Sequence, residues 1–444
     1  MLGVLLRNPE FRKLWLAQVI SQSGDWLNRV AVLAMIGRLS GVDAAVGMGA
    51  LFGLELAIRL LPTAFFGPLA GPVADRLPRK ALMIGSDLTR TGVVLCFLFV
   101  REPGHLPLLY GLLVTQTSLS IFFSSAREAS IPNTLPREDL HLAYALTAVT
   151  WSTVLALGAV AGGVLVHVVG VRGVFVIDAG TYVASAGLTA LVALPPTPRQ
   201  TEPFRWRDVV LLTELRRALV HARSLHLGPI LAAKSFWGAA GGYLVLLAVV
   251  ANSRFGGAEG ASGSEVAAAA GAGAAGFATG MLYGARGVGT GLGPILARRA
   301  FGSDDRSLRR QISLGFVVAA VGYGLFAVSH DLWVACAWVV AAHVGGSTIW
   351  VASTTYWQRR VEDRFRGRVF ALEFLGMTLS FSAGGLIAGW VYDATGSDRT
   401  AVWVMSALVL VLGALWHLLA RTVPLGLSGD DPVGDHSSRR PTTS

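Results

Sequence analysis

Long apolar runs dominate this sequence and decide what it can fold into. In a helix, about 20 apolar residues cross the roughly 30 Å hydrocarbon core of a bilayer. Twelve runs have this length, and they lie at about 13–39, 46–73, 81–101, 106–126, 140–168, 171–194, 229–251, 272–298, 309–329, 331–357, 367–392 and 399–421. The runs predict an all-α membrane protein with twelve transmembrane helices.

The composition agrees with lipid as the surrounding medium. Hydrophobic residues make up 53% of the 444 residues and charged residues 14%, whereas a globular domain carries about 25% charge. The net charge of +10 comes from bases in short loops between the runs, without the basic face and interleaved aromatics of a nucleic-acid-binding surface. We therefore expect membrane lipids, and not nucleic acid, as partners. Cys96 and Cys336 lie in apolar runs and indicate neither a disulfide nor a metal site.

The distribution of bases predicts the orientation. With both termini placed in the cytoplasm, 27 of the 37 Lys and Arg residues fall in cytoplasmic loops and only 4 in external ones. This asymmetry follows the positive-inside rule and requires an even number of spans. The first run is long for a signal sequence, and we interpret it as a retained helix. The expected location is a bacterial plasma membrane, crossed many times.

A weak internal repeat divides the chain in two. GPVADRLPRK begins at Gly71 after the second run, and GPILARRAFG begins at Gly293 after the eighth. Two homologous six-helix halves with a substrate path between them are a recurrent plan of transporters. The predicted domains are a bundle at 1–194, a cytoplasmic linker with a basic amphipathic helix at 195–228, a bundle at 229–422, and a disordered cytoplasmic tail at 423–444.

Several motifs resemble one transporter family. GPVADRLPRK at 71–80 is similar to the loop signature G-x-L-A-D-R-x-G-R-K of the major facilitator superfamily, with departures at Val73 and Pro78. Residues 8–32, 132–146 and 365–372 resemble the drug:proton antiporter branch that holds macrolide-efflux and enterobactin-exporter-like proteins. The resemblance covers residues 8–421 and implies two pseudo-symmetric six-helix bundles, alternating access and a proton gradient as the driving force. It implies no cofactor, and we expect a monomer.

In this family the loop signature implies a cytoplasmic gate. Asp75 ends the second helix, where it can accept hydrogen bonds from a helix N-terminus across the half-interface or pair with a nearby arginine. Asp87 and Arg90, three residues apart in the third span, are expected to support this gate rather than touch substrate. The candidate gate residues are Gly71, Asp75, Arg76, Arg79, Lys80, Asp87 and Arg90.

Charges inside the first two spans are candidates for proton coupling. Asp25 and Arg29 are four residues apart, as are Glu55 and Arg59, so each pair shares a helix face. Such charges are costly in lipid and need a partner or a purpose. Either they form two self-neutralised ion pairs, or one carboxylate exchanges a proton when its arginine is disturbed. Asp25 is the first candidate and Glu55 the second.

The second half holds two charges without a local partner. Arg286 in the eighth span pairs with Glu373 or a carboxylate of the first half, or else binds an anionic substrate group. Glu373 lies in the eleventh span, nearer the cytoplasm. Asp178 and Lys234 are close to span ends, where they are expected to reach the interface.

The fifth span contains a small-residue motif. Gly158, Gly162 and Gly163 resemble the antiporter signature G-P-x-x-G-G, with Ala159 in place of the proline. Small residues let two helices approach closely and slide. Ordinary helix packing is the alternative explanation.

The leading prediction is a proton-coupled exporter of small amphipathic organic compounds that works by alternating access. An exporter of a siderophore or lipid-like metabolite is the alternative within transport. A transport-inactive membrane scaffold or sensor is the alternative from another class. An enzyme is not expected, because the sequence shows no metal-ligand cluster and no nucleophile–base arrangement.

Overall fold

The computed structural model describes residues 2–40, 46–195, 211–256 and 265–423. These residues form helices, joined by turns, and contain no strand. Residues 424–444 of the predicted tail (423–444) and residues 196–210 of the predicted linker (195–228) lie outside the described residues.

The described part of the first half contains six α-helices. They are α1 (Leu2–Arg7), α2 (Pro9–Ser40), α3 (Met48–Arg76), α4 (Arg79–Cys96), α5 (Leu106–Ser130) and α6 (Leu140–Ala190). α6 contains two transmembrane rods, because Gly170 has φ 72° and ψ 169° and breaks the helix. This left-handed backbone favours glycine. The fifth and sixth predicted spans are thus the two arms of α6, joined by a break of one residue.

The linker and second half contain eight helices. They are α7 (Leu211–Ser224), α8 (Gly228–Ala239), α9 (Tyr243–Phe255), α10 (Glu265–Phe301), α11 (Asp305–Ala327), α12 (Leu332–Gln358), α13 (Asp363–Thr395) and α14 (Asp398–Ala420). α7 lies in the linker. The seventh predicted span is divided into α8 and α9, and at this division the Phe381 ring occupies the place of a side chain on Gly241, 2.3 Å from an ideal Cβ.

The fold prediction is confirmed. α2 to α5, the two arms of α6, the α8–α9 pair and α10 to α14 make twelve rods among the described residues. Nine stretches pass a test of length and apolarity for crossing a membrane, with α6 counted once. α2 and α10 fall outside the nine, and the middle of α2 carries the polar residues Gln22, Asp25, Asn28 and Arg29.

Small residues bring the two halves together. α6 and α2 of the first half pack against α10, and α3 packs against α13. A Cβ on Gly163 would lie 2.9 Å from Gly280 Cα, and one on Gly53 would lie 2.9 Å from the Gly385 carbonyl oxygen. Such close backbone approach is the usual way in which membrane helices associate.

The α3–α13 contact differs between its ends. Where α3 begins and α13 ends, the Asp393 carboxylate accepts hydrogen bonds from the backbone N–H groups of Gly49 (2.9 Å) and Ala50 (2.8 Å). Toward the other end of α3, Phe65 is 69% exposed, and a Cβ on Gly67 would meet nothing within 4 Å. We call the first of these the Asp393 end and the opposite one the Asp75 end.

Candidate functional site

A cavity of about 300 Å³ lies in the middle of the first half. α2, α3, α5 and α6 line it with polar and aromatic side chains, namely Gln22, Asp25, Trp26, Arg29, Arg59, Gln116, Thr117, Ser120 and Trp151. The second half reaches its edge, since the rings of Trp26 and Tyr283 are 6.3 Å apart. The cavity therefore lies beside the interface between the halves.

One side of the cavity contains an acidic cluster, which we define as Asp25, Asp87, Asp178 and Arg90. Arg90 and Asp87 are both buried, and Arg90 Nη2 donates a hydrogen bond to Asp87 Oδ1. Arg90 Nη1 also donates to Asp25 Oδ1 at 3.5 Å. The expectation that Asp87 and Arg90 support the loop gate is wrong, because α4 turns this pair onto α2 and toward the cavity.

Asp178 completes the acidic cluster from the second arm of α6. Its side chain is fully buried, and Oδ2 has no hydrogen-bond partner among the described residues. Asp25 and Arg90 are its charged neighbours. The expectation that Asp178 reaches the interface is wrong, since α6 packs directly on α2. A Cβ on Gly24 would lie 2.3 Å from Asp178 Oδ1, so only glycine leaves room for the carboxylate.

Asp25 connects the acidic cluster to the cavity. It lines the cavity and its side chain is 35% exposed. Tyr182 Oη donates to Asp25 Oδ1 at 2.5 Å and accepts from Gln116 Nε2 at 2.9 Å. With every carboxylate ionised, the cluster would set three negative charges against one guanidinium. Burying unpaired charge is costly, and a proton on one carboxylate lowers that cost.

A basic cluster, which we define as Arg29, Arg59, Arg286 and Glu55, adjoins the acidic cluster along α2, and Arg29 and Arg59 line the cavity. Glu55 is buried and accepts a hydrogen bond from Arg59 Nε, as the spacing predicts. Arg29 Nη2 lies 3.6 Å from Glu55 Oε2, and its Cζ is 5.1 Å from the centre of the Tyr283 ring. Of the two alternatives for Asp25 and Arg29, the ion pair between them is therefore wrong, because each residue has other partners on neighbouring helices.

Arg286 contributes to the basic cluster from the second half. Its Cζ lies 5.9 Å from the centre of the same Tyr283 ring, and Nε and Nη1 are buried without a hydrogen-bond partner among the described residues. Of the three alternatives for Arg286, the pair with Glu373 is wrong. α8 packs against α13 and places Lys234 on Glu373 instead, with Lys234 Nζ 2.7 Å from Glu373 Oε2.

The Lys234–Glu373 pair is buried inside the second half. The two side chains are only 3% and 1% exposed. Lys234 Nζ also donates to Thr354 Oγ1 at 2.6 Å and lies 4.6 Å from the centre of the Trp350 ring. Lys234 thus does not reach the interface as expected, because α12 and α13 enclose it. The pair has one charge of each sign.

The loop signature makes its described contacts within the first half. Asp75 is 45% exposed and pairs with Arg79 at 3.4 Å. Arg79 Nη1 donates to the Ala129 carbonyl at 2.6 Å, and Lys80 Nζ donates to the Val192 carbonyl at 3.1 Å. Arg76 Nη1 donates to the carbonyl of Pro72 at 3.3 Å. Of the two partners expected for Asp75, the structure shows the nearby arginine.

The glycines of the fifth span lie at two close contacts. A Cβ on Gly158 would lie 3.0 Å from Trp26 Cβ, and one on Gly162 would lie 3.2 Å from Leu27 Cα, both on α2. Gly163 faces α10 of the other half, and a Cβ on it would lie 2.9 Å from the Gly276 carbonyl oxygen. The motif therefore packs α6 both within its own half and across the interface.

Sequence reasoning missed the structural roles of several residues. Asp178 and Lys234 were visible as charges in apolar runs, but distance from the span ends was a poor guide to their burial. Tyr182 and Asp393 carried no signal, because a tyrosine in a span and an acid at a helix end are both common. Their roles depend on which helices pack together.

The chain belongs to the Major Facilitator Superfamily. The model of that family matches residues 14–297 and 272–441, which confirms the predicted family. The chain is therefore an integral membrane protein of a family of transporters.

Individual relatives agree with this assignment. An uncharacterized MFS-type transporter of Bacillus subtilis (strain 168), YfiS, is 30% identical over 186 residues, 41% of this chain and 42% of the relative. Macrolide efflux protein A of Streptococcus pyogenes is 27% identical over 133 residues, 30% of this chain and 31% of the relative. The chain spans less than half the length of both relatives. The crystal structure of the nucleoside transporter NupG superposes with a TM-score of 0.69 at 13% identity, covering 92% of this chain and 98% of that one, and supports the fold alone.

Proposed function

We propose that this transporter is a proton-coupled exporter of amphipathic organic compounds in the bacterial plasma membrane, with both termini in the cytoplasm. The observation that carries the proposal is Asp25, which belongs to a buried cluster with surplus carboxylates and also lines the cavity. A proton on this cluster and a substrate in the cavity are then within reach of the same side chain. Similarity to a macrolide efflux protein supports export.

Coupling follows from competition at Asp25. A proton bound there reduces the negative charge of the acidic cluster, and a cationic group of the substrate does the same from the cavity side. Either the proton or the cationic group is enough to offset the surplus negative charge. Binding of one therefore favours release of the other. One proton that enters down a membrane potential of 100 mV provides about 2.3 kcal/mol, before any contribution from a pH gradient.

Alternating access is proposed to use the two ends of the α3–α13 contact. At the Asp393 end the carboxylate caps the N-terminus of α3, where helix dipole and free N–H groups favour an anion. Asp75 stands at the far end of α3 and is turned toward its own half. Engagement of Asp75 on the second half, with release of Asp393, would open the cavity to the other side of the membrane.

The test is efflux and proton movement in inverted vesicles that carry the full chain. Asp25→Asn is expected to abolish proton-driven transport of a macrolide such as erythromycin, because the amide cannot exchange a proton. Glu55→Gln is expected to retain proton coupling. Arg101→Gln, an exposed site, is the control for an altered charge. Proton-dependent efflux by Asp25→Asn at the wild-type rate would eliminate the coupling assignment.

Export of a siderophore or lipid-like metabolite is the second candidate. The basic cluster favours it, since two guanidiniums contact Glu55 and Arg286 adds a third positive charge on the Tyr283 ring that Arg29 also contacts. Efflux of a catechol siderophore in the same vesicles, without efflux of erythromycin, would support this candidate over the first.

A further inference from the structure

Two opposite charges stand side by side in the cavity wall without pairing. Asp25 and Arg29 both line the cavity and are four residues apart on α2, a spacing at which side chains of a helix are neighbours. Asp25 interacts with Tyr182 and Arg90, whereas Arg29 interacts with Glu55 and Tyr283. Asp25 and Arg29 therefore do not neutralise each other, although both line the cavity.

The Arg29 side carries more positive than negative charge. Nε and Nη2 of Arg29 are buried, with Glu55 Oε2 3.6 Å from Nη2, and the side chain meets the cavity through its exposed fraction of 13%. Glu55, the acid nearest to them, already accepts from Arg59, which lines the same cavity. Arg286 adds a third guanidinium behind Tyr283. The part of the Arg29 guanidinium that faces the cavity is well suited to bind a carboxylate.

The Asp25 side offers an acceptor. Both described hydrogen bonds of Asp25 end on Oδ1, and the side chain remains partly exposed to the cavity. Oδ2 is thus available to an ammonium group. Trp26 and Trp151 supply apolar walls close to both charges.

We propose that the cavity recognises amphoteric amphiphiles, whose ammonium group binds Asp25 while their carboxylate binds Arg29. The apolar part of such a substrate lies against Trp26 and Trp151. This inference names the substrate class of the proposed exporter and so rests on that function. The ammonium group is the part that competes with the proton, and the carboxylate selects among amines.

The test compares three probes of one shape. They are 2-naphthylalanine, its amide and its N-acetyl derivative, which are a zwitterion, a cation and an anion near pH 7. Equilibrium binding of each is measured on the purified full chain in detergent. The zwitterion is expected to bind at least about tenfold more tightly than either of the others, because hydrogen bonds between charged groups are the strong ones.

Variants assign each preference to one residue. Arg29→Gln is expected to remove the advantage over the amide and to keep the advantage over the N-acetyl probe, whereas Asp25→Asn is expected to do the reverse. Arg29→Lys keeps the positive charge and is expected to restore part of the lost advantage. Arg172→Gln, at an exposed site, is expected to change neither preference.

Three results would overturn the inference: equal wild-type affinities for the three probes, no binding of the zwitterion at millimolar concentration, or unaltered preferences in Arg29→Gln. Vesicle transport separates this outcome from failure of the proposed function. Proton-driven efflux of erythromycin with equal probe affinities would remove the amphoteric site alone. Selective zwitterion binding without proton-coupled efflux would remove the exporter alone.

Discussion

The two halves bury carboxylates in different ways. In the second half, Glu373 and Lys234 form a pair with one charge of each sign, enclosed by Thr354 and Trp350. In the first half, the acidic cluster sets three carboxylates against Arg90. The pair has no net charge, whereas the cluster has a surplus of negative charge when all its carboxylates are ionised.

This difference indicates separate tasks. A buried pair of opposite charges gains no stability when it binds a proton, and removal of either partner leaves an uncompensated charge. A cluster with surplus acid becomes less costly when a proton binds and can give it up when a cation arrives. We therefore expect the Lys234–Glu373 pair to stabilise the fold and the acidic cluster to couple transport to protons. Replacing each acid with its amide should then have a graded effect on stability.

The largest effect is expected for Glu373→Gln. It leaves the Lys234 ammonium buried without its counter-charge, and loss of one partner of a buried pair costs about 3–5 kcal/mol. The free energy of unfolding in detergent measures the cost. The double change Lys234→Met with Glu373→Met is the control and should regain most of the stability. A loss below about 1 kcal/mol for Glu373→Gln would show that the pair does not hold the second half together.

An intermediate effect is expected for Asp87→Asn. The amide loses the charged hydrogen bond from Arg90, a contact worth about 1.5–3 kcal/mol, but Asp25 remains beside the guanidinium. The same unfolding experiment should therefore show a smaller loss than Glu373→Gln. An equal or larger loss would mean that Asp25 does not share Arg90.

The smallest effect is expected for Asp178→Asn. Within the described part of the chain its Oδ2 has no hydrogen-bond partner, and an amide resembles the protonated acid in shape. We expect a change within about 0.5 kcal/mol, the usual range for substitutions that disturb no essential contact. Destabilisation comparable to that of Glu373→Gln would show that Asp178 is a charged, paired residue, and the contrast between the halves would fail.

The fold could be predicted from the sequence because a helix that crosses the bilayer needs an apolar run of a defined length. Apolar runs located the twelve rods, and the loop signature at Gly71 identified the family. The two helix breaks were less accessible, since Gly170 and Gly241 do not differ in type from other glycines of the spans. Their roles depend on the backbone at Gly170 and on the Phe381 ring at Gly241.

The site was only partly predictable. Spacing along one helix correctly gave Glu55–Arg59 and Asp87–Arg90. It failed for Asp25 and Arg29, because contacts between helices supplied better partners for both. Spacing carries no information about which face of α2 meets α3, α4 or α10, and that choice determines both clusters.

The most direct test of the central claim is to find the buried proton. Infrared difference spectroscopy detects the carbonyl band of a protonated carboxyl group when the pH of the purified full chain is changed. The account predicts such a band in the wild type, its reduction in Asp25→Asn or Asp178→Asn, and no change in Glu373→Gln. A band that disappears only in Glu373→Gln, or the absence of any protonated carboxyl in the wild type, would contradict it.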